Sequence, residues 1–147
     1  MRYTNLFFMT ILSFISMYVL MYVMVDKFAN VYMNLNQLYM AGVMTIPMVL
    51  VELVLMRSMY KIKRINFFIS VSSLIIFILL LIFIRQQIAI SDKEFLKSMI
   101  PHHAAAILMC EKASLQDPEI KKLADAIITT QKIEIDLMKK KLKEFAQ

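Results

Sequence analysis

The chain has 147 residues, 60% of them hydrophobic, with one glycine, three prolines, one cysteine and a formal charge of +6 at neutral pH. So few turn-forming residues leave little punctuation for strands, which points to an all-α protein. The single cysteine excludes an intrachain disulfide framework, and no reader motif accompanies the positive charge, so no nucleic acid is expected as a partner.

Residues 6–25 and 65–84 each run 20 positions without a charge, long enough to cross a hydrocarbon core of ~30 Å. Residues 38–56 are long enough too, although they contain Gly42, Pro47 and Glu52. Three transmembrane helices within a membrane region 1–85 are therefore expected. The first run is too long for a secretion signal and no small-residue cleavage site follows it, so it should stay as an anchor. Glu52 lies about one turn from the next loop and is expected to pair with Arg57 or to snorkel to the interface. The loop after the second span carries Arg57, Lys61, Lys63 and Arg64 without an acid, whereas the first loop sets Asp26 against Lys27. Basic short loops stay cytoplasmic. The N-terminus is then inside, and residues 86–147 emerge on the outer side. Methionines at 17, 21 and 24, and at 40, 44, 48 and 56, are read as ordinary apolar residues of the spans, with a metal relay as the bolder alternative.

The remaining 62 residues, 86–147, are expected to form a small helical domain. Ser91 and Glu94 have the spacing of a capping box and predict a helix over 92–100. Pro101 is expected to open a second helix over 101–114, with the third spans helix free to continue past Arg85 up to the Ser91 boundary. Asp117 as N-cap and Pro118 at the first helical position predict a long last helix reaching about Phe145. Its apolar face, Ile120, Leu123, Ala124, Ile127, Ile128, Ile135, Met138, Leu142 and Phe145, is interrupted by Gln131 and Glu134. An unpaired buried carboxylate is costly, so Glu134 needs a partner.

The stretch MIPHHAAAILMC, residues 99–110, gathers both histidines, the only cysteine and two methionines. On a helix, Met99, His102, His103, Ala106, Met109 and Cys110 share one broad face. Imidazole nitrogen with thioether sulfur suits a soft ion, Cu(I) above all, whereas Mg²⁺ or Ca²⁺ would want a cage of oxygens. Methionine stripes are more often packing, adjacent histidines also occur as surface residues, and Cys110 is at least as readily a small buried hydrophobe as a thiolate ligand. Spacing alone leaves both readings open.

The two stretches FLKSMIPHHAAAILMCEKA and DPEIKKLADAIITTQKIEIDLMKKKL resemble the family catalogued as domain of unknown function 305. Its signature is M-I-x-H-H, A-x-x-M and Q-x-x-E-I-x-x-M, here Met99, Ile100, His102, His103, Ala106, Met109, Gln131, Glu134, Ile135 and Met138. Ala104 and Ala105 stand where relatives commonly carry glutamine, serine or glycine. The resemblance implies a ferritin-like helical bundle over about 86–147 and copper binding in the bacterial periplasm, in the service of copper tolerance. It implies Met99, His102, His103 and Met138 as ligands with Met109 next, Gln131 and Glu134 behind them, and Cys110 as a further candidate. Many relatives carry two such halves and this chain carries one. A domain this short buries little core, so a homodimer or larger homo-oligomer is expected.

The resulting expectation is a membrane-anchored Cu(I) or Ag(I) binding protein of the bacterial inner membrane, for copper storage, delivery or tolerance. A copper transporter or copper enzyme is its expected partner. A copper-dependent oxidoreductase and a structural membrane partner with a vestigial site are the alternatives. Binding is favoured over turnover, because there is no nucleophile with an orienting base, no phosphate loop and no pair of Glu-x-x-His motifs.

Overall fold

The computed structural model describes residues 2–145. Its elements are helices α1 (Arg2–Leu20), α2 (Leu35–Leu55), α3 (Lys63–Gln86), α4 (Asp92–Lys112) and α5 (Pro118–Glu144), with a single 3₁₀ turn at Phe28–Asn30. Among the described residues there is no strand, so the protein is all-α as its composition requires. The chain divides into two compact units, Met1–Met21 with Asn36–Ala89, and Tyr22–Leu35 with Ile90–Gln147.

The first unit holds three helices long and apolar enough to cross a membrane, within α1 (Tyr3–Leu20), α2 and α3. The first of them stops short of the expected end at residue 25, because residues 21–24 leave the helix in a turn. A small core of Leu6, Val49, Leu53 and Tyr60, with Tyr3, Met9 and Ile69 packed on it, joins the helices at one end. A polar knot closes that end. The Tyr3 hydroxyl donates to Asn66 Oδ1 at 2.8 Å, and Asn66 Nδ2 donates to the Tyr60 carbonyl at 2.7 Å. The Tyr60 hydroxyl donates to Glu52 Oε1 at 3.2 Å. Burial first, and then this hydrogen bond, push the Tyr60 phenol above its usual range. Glu52 thus pairs with Tyr60 and not, as the sequence led us to expect, with Arg57. Arg57 lies beyond the last residue of α2, where the turn at 56–59 swings Tyr60 back over the carboxylate.

Along α2, Gly42 serves a close approach: a Cβ there would meet Leu80 Cδ1 of α3 at 2.6 Å. At the far end the Tyr39 hydroxyl donates to the Ile88 carbonyl at 3.1 Å, and the side-chain amides of Asn36 and Gln87 pair at 3.1 and 3.2 Å. Helix α3 stops at Gln86 although neither glycine nor proline marks the place. Gln87 takes the left-handed conformation (φ 51°) that usually falls to glycine, and Ile88 N donates back to Phe83 O at 3.0 Å. The Gln87 side chain contributes a bond to Ile84 O at 2.7 Å.

The second unit is an antiparallel hairpin of α4 and α5. Ile100, Ala104 and Ile107 of α4 pack against Ile135, Met138 and Leu142 of α5, and Leu96 and Met99 flank them. Each large aliphatic side chain buried there contributes about 1.5–3 kcal/mol. Helix α4 is continuous through Pro101, contrary to the expected break between 100 and 101. Proline lacks the N–H that would bond Lys97 O, a penalty of about 3 kcal/mol or more inside a helix. The full burial of Ile100 and Pro101 offsets it. Asp117 caps α5 as expected, accepting from Glu119 N at 2.8 Å and Ile120 N at 3.0 Å.

The first connection belongs to this unit. Val25 and Tyr32 pack on the hairpin core, and the Tyr22 hydroxyl donates to Tyr32 O at 2.8 Å. Asn30 is fully buried, with its amide donating to Asp26. Glu94 is the fastener: Oε2 accepts from Leu35 N at 3.1 Å and Oε1 from Lys97 Nζ at 2.8 Å. The expected capping box is therefore half-formed. Ser91 accepts from Glu94 N at 3.5 Å, but the Glu94 carboxylate is spent on Leu35 and Lys97. Burial opposes ionisation of Glu94, yet these hydrogen bonds, with the charges of Lys97 and Lys93, outweigh it and hold the carboxyl below its ordinary range.

Candidate metal centre

In an antiparallel helix pair, residues four apart on one helix stack one turn apart and face a similar stack on the other. Met99 and His103 form such a stack on α4, and Glu134 and Met138 form one on α5. His103 meets Glu134 across the interface, Nε2 to Oε2, at 2.8 Å. Met138 is buried in the core on which Met99 packs. These four residues therefore lie on facing sides of the two helices, at adjacent turns of the hairpin.

The His103 ring is held at both nitrogens, since Nδ1 lies 2.9 Å from Met99 O. A carbonyl oxygen only accepts, so Nδ1 carries a hydrogen. Nε2 is then the nitrogen that takes a proton or a metal. Glu134 presents a carboxylate to that nitrogen, and an ionised carboxylate has no proton to give. The 2.8 Å between Nε2 and Oε2 is a hydrogen-bond distance, spanned by a proton, and a metal bound at Nε2 would have to displace that proton. The histidine side chain is only 12% exposed, whereas that of Glu134 is 47% exposed, so the pair lies at the mouth of the interface.

Gln131 lies one turn before Glu134 on α5. Its Oε1 is buried and has no hydrogen-bond partner, an acceptor without a donor beside the pair. Among the described residues no three or more His, Cys, Asp or Glu side chains are grouped to hold a metal.

The other expected ligands lie elsewhere. His102 is exposed, its ring centroid 6.2 Å from that of His103. Met109 and Cys110 are six and seven residues further along α4, about 9–10 Å by helical rise. They line an apolar groove of about 190 Å³ with Leu115, Ile120, Leu123 and Ile127. Sequence reasoning missed the contribution of residues 22–35 to this unit. The signal was there in Asp26 and Asn30, set between Tyr22 and Tyr32, a pairing of polar and aromatic groups that a bare loop does not need.

The family model described as "Domain of unknown function (DUF305)" matches residues 84–145. An "Uncharacterized protein L153" of Acanthamoeba polyphaga mimivirus is 34% identical over 139 residues, which cover 92% of this chain and 90% of the viral protein. No solved structure matches. The viral match takes in the apolar helices as well as the hairpin, and the chain belongs to this family, with a DUF305 domain at its C-terminal end.

Proposed function

We propose that the protein is a membrane-anchored Cu(I)- or Ag(I)-binding protein whose hairpin takes the ion at His103. The observation that supports this reading is the His103–Glu134 contact, an imidazole nitrogen beside a carboxylate, on helix faces shared with Met99 and Met138. The donor set fits a soft ion. His103 Nε2, Met99 and Met138 would hold it, Glu134 would balance its charge, and the unpartnered Gln131 oxygen would accept from whatever donor completes the shell. The exposed His102 and Met109 would serve as capture ligands on the way in.

The three apolar helices are read as spans, with the basic loop at Arg57–Arg64 in the cytoplasm and the hairpin on the outer side, the periplasm in a bacterial inner membrane. Sidedness carries this reading more than organism does, since the 34% relative is viral. Storage or delivery of the ion, to a copper transporter or copper enzyme, needs only accessible ligands. Nothing in the site favours turnover. A second copy is proposed to cover the apolar groove beside Met109, where Ile120 and Leu123 are exposed. Leu142, further along the same apolar face of α5, is spent in the hairpin core.

Competition titration with a chromophoric Cu(I) chelator tests the reading. The wild-type chain should bind one equivalent, and His103→Ala should lose at least a hundredfold in affinity. A His103→Ala chain that matches the wild type would remove the assignment.

A further inference from the structure

Between Glu52 and Asp92 the chain contains no acid, yet Arg57, Lys61, Lys63, Arg64 and Arg85 fall in that interval. The first four are gathered at one end of the first unit, and all are exposed. Among the described residues none of the four forms an ion pair. The nearest carboxylate, Glu52, is engaged by Tyr60. No described carboxylate neutralises them, so the loop presents a net positive surface.

The cations are joined to an apolar surface. Lys63, Arg64, Phe67 and Phe68 line an open groove of about 490 Å³ on the first turns of α3. Both phenyl rings are largely exposed, with their centroids 6.1 Å apart. The backbone beneath is fixed by the knot in which Asn66 holds Tyr60 O and the Tyr3 hydroxyl holds Asn66, so little ordering is needed to present the groove. A surface with two cations at one end and two phenyl rings at the other matches a molecule with an anionic head and a hydrocarbon tail. Because the rings lie on a helix long and apolar enough to cross a membrane, a lipid reaches them more readily than an acidic peptide or nucleic acid.

We propose that this groove seats an anionic phospholipid, its phosphate against Lys63 and Arg64 and an acyl chain along Phe67 and Phe68. The inference rests on reading the first unit as membrane-embedded, and it holds for whichever leaflet the loop faces. It is independent of metal binding by the hairpin. Basic groups beside a span attract anionic lipid through both charge and proximity.

The test uses the purified full chain in detergent, with native mass spectrometry counting retained dioleoylphosphatidylglycerol against dioleoylphosphatidylcholine. The anionic lipid should be retained preferentially, and Lys63→Gln with Arg64→Gln should weaken its binding roughly thirtyfold, about 2 kcal/mol for two charges at a membrane surface. Lys139→Gln with Lys140→Gln, in the hairpin, should leave it unchanged. Raising salt should release the anionic lipid from the wild type and not the zwitterionic one, a readout that needs no variant. Glycerol 3-phosphate alone should compete weakly, because it cannot use the rings; competition equal to that of the lipid would reduce the site to a phosphate patch and overturn the proposal. Equal retention of both lipids, or a double variant that keeps the preference, would also overturn it. Flotation with vesicles of either lipid separates the two readings: a chain that floats on both without lipid preference refutes the lipid seat and leaves the membrane reading standing.

Discussion

Glu134→Gln separates a cation site from a structural ion pair. The amide keeps the shape of the carboxylate, and its NH₂ can donate to a neutral His103 Nε2. The hydrogen bond at 2.8 Å then needs no proton on Nε2. The cost to stability is small, because Glu134 is 47% exposed and a solvent-accessible pair is worth about 0–1 kcal/mol. The cost to metal affinity is larger, since groups that orient and balance a ligating histidine contribute about 10–100-fold. The two effects differ enough to be told apart on one preparation. Thermal unfolding of the metal-free chain in detergent gives the first, and chelator competition with Cu(I) gives the second. A variant that binds Cu(I) like the wild type would refute the reasoning, as would one destabilised as much as a core truncation. Affinity in the wild type should also fall on acidification, as protons compete with the metal for the imidazole nitrogen, and in the variant this dependence should be shallower.

Ile107→Ala, at a side chain 1% exposed in the hairpin core, should cost about 2–5 kcal/mol by thermal or denaturant unfolding; a loss under 1 kcal/mol would place the core elsewhere. Glu94 is held below the ordinary glutamate value of 4.5, so its contribution is complete above that value and is lost as pH falls through the lower folded one. Acid unfolding followed from pH 6 downward should show this loss, and Glu94→Gln should flatten it and free the 22–35 segment to faster amide exchange. In a Cys110→Ser background, a cysteine at Ser58 should resist a membrane-impermeant thiol reagent in spheroplasts while one at exposed Asp125 reacts; the opposite pattern would invert the orientation. Leu123→Glu, at an exposed groove residue, should lower the mass measured in detergent to that of one chain, and a wild type already monomeric would remove the proposed self-association.

The hairpin was legible where local chemistry has one good solution. Asp117 followed by Pro118 can hardly be anything but a helix start, and α5 begins there. Glu134 on an apolar face announced a partner, and His103 is that partner. Pro101 misled the sequence reading, because proline suits the first turn of a new helix as well as it suits an interior position whose surroundings offset its penalty. Only the neighbouring helix decides between them, and α5 buries Ile100 and its neighbours along an unbroken α4.

The remaining differences share a physical cause, namely that partners distant in sequence override a short-range preference. Arg57 is the closer charge to Glu52 in sequence, but α2 ends at Leu55 and the turn beyond it delivers Tyr60 instead. Gln87 adopts a glycine-like conformation without being glycine, and its side chain bonds Ile84 O and Asn36 to hold it there. Glu94 has the spacing of a capping-box acid, but Leu35 N, 59 residues away in sequence, takes its carboxylate. Each of these groups is polar and near a helix end, where unsatisfied backbone donors and acceptors compete for partners. The same competition bears on the proposed metal site. His103 and Glu134 come from different helices, and Nδ1 of the imidazole is already committed to Met99 O, which leaves Nε2 for the half-exposed carboxylate. What remains is a nitrogen facing a carboxylate across 2.8 Å, a hydrogen bond whose proton a metal ion would have to displace.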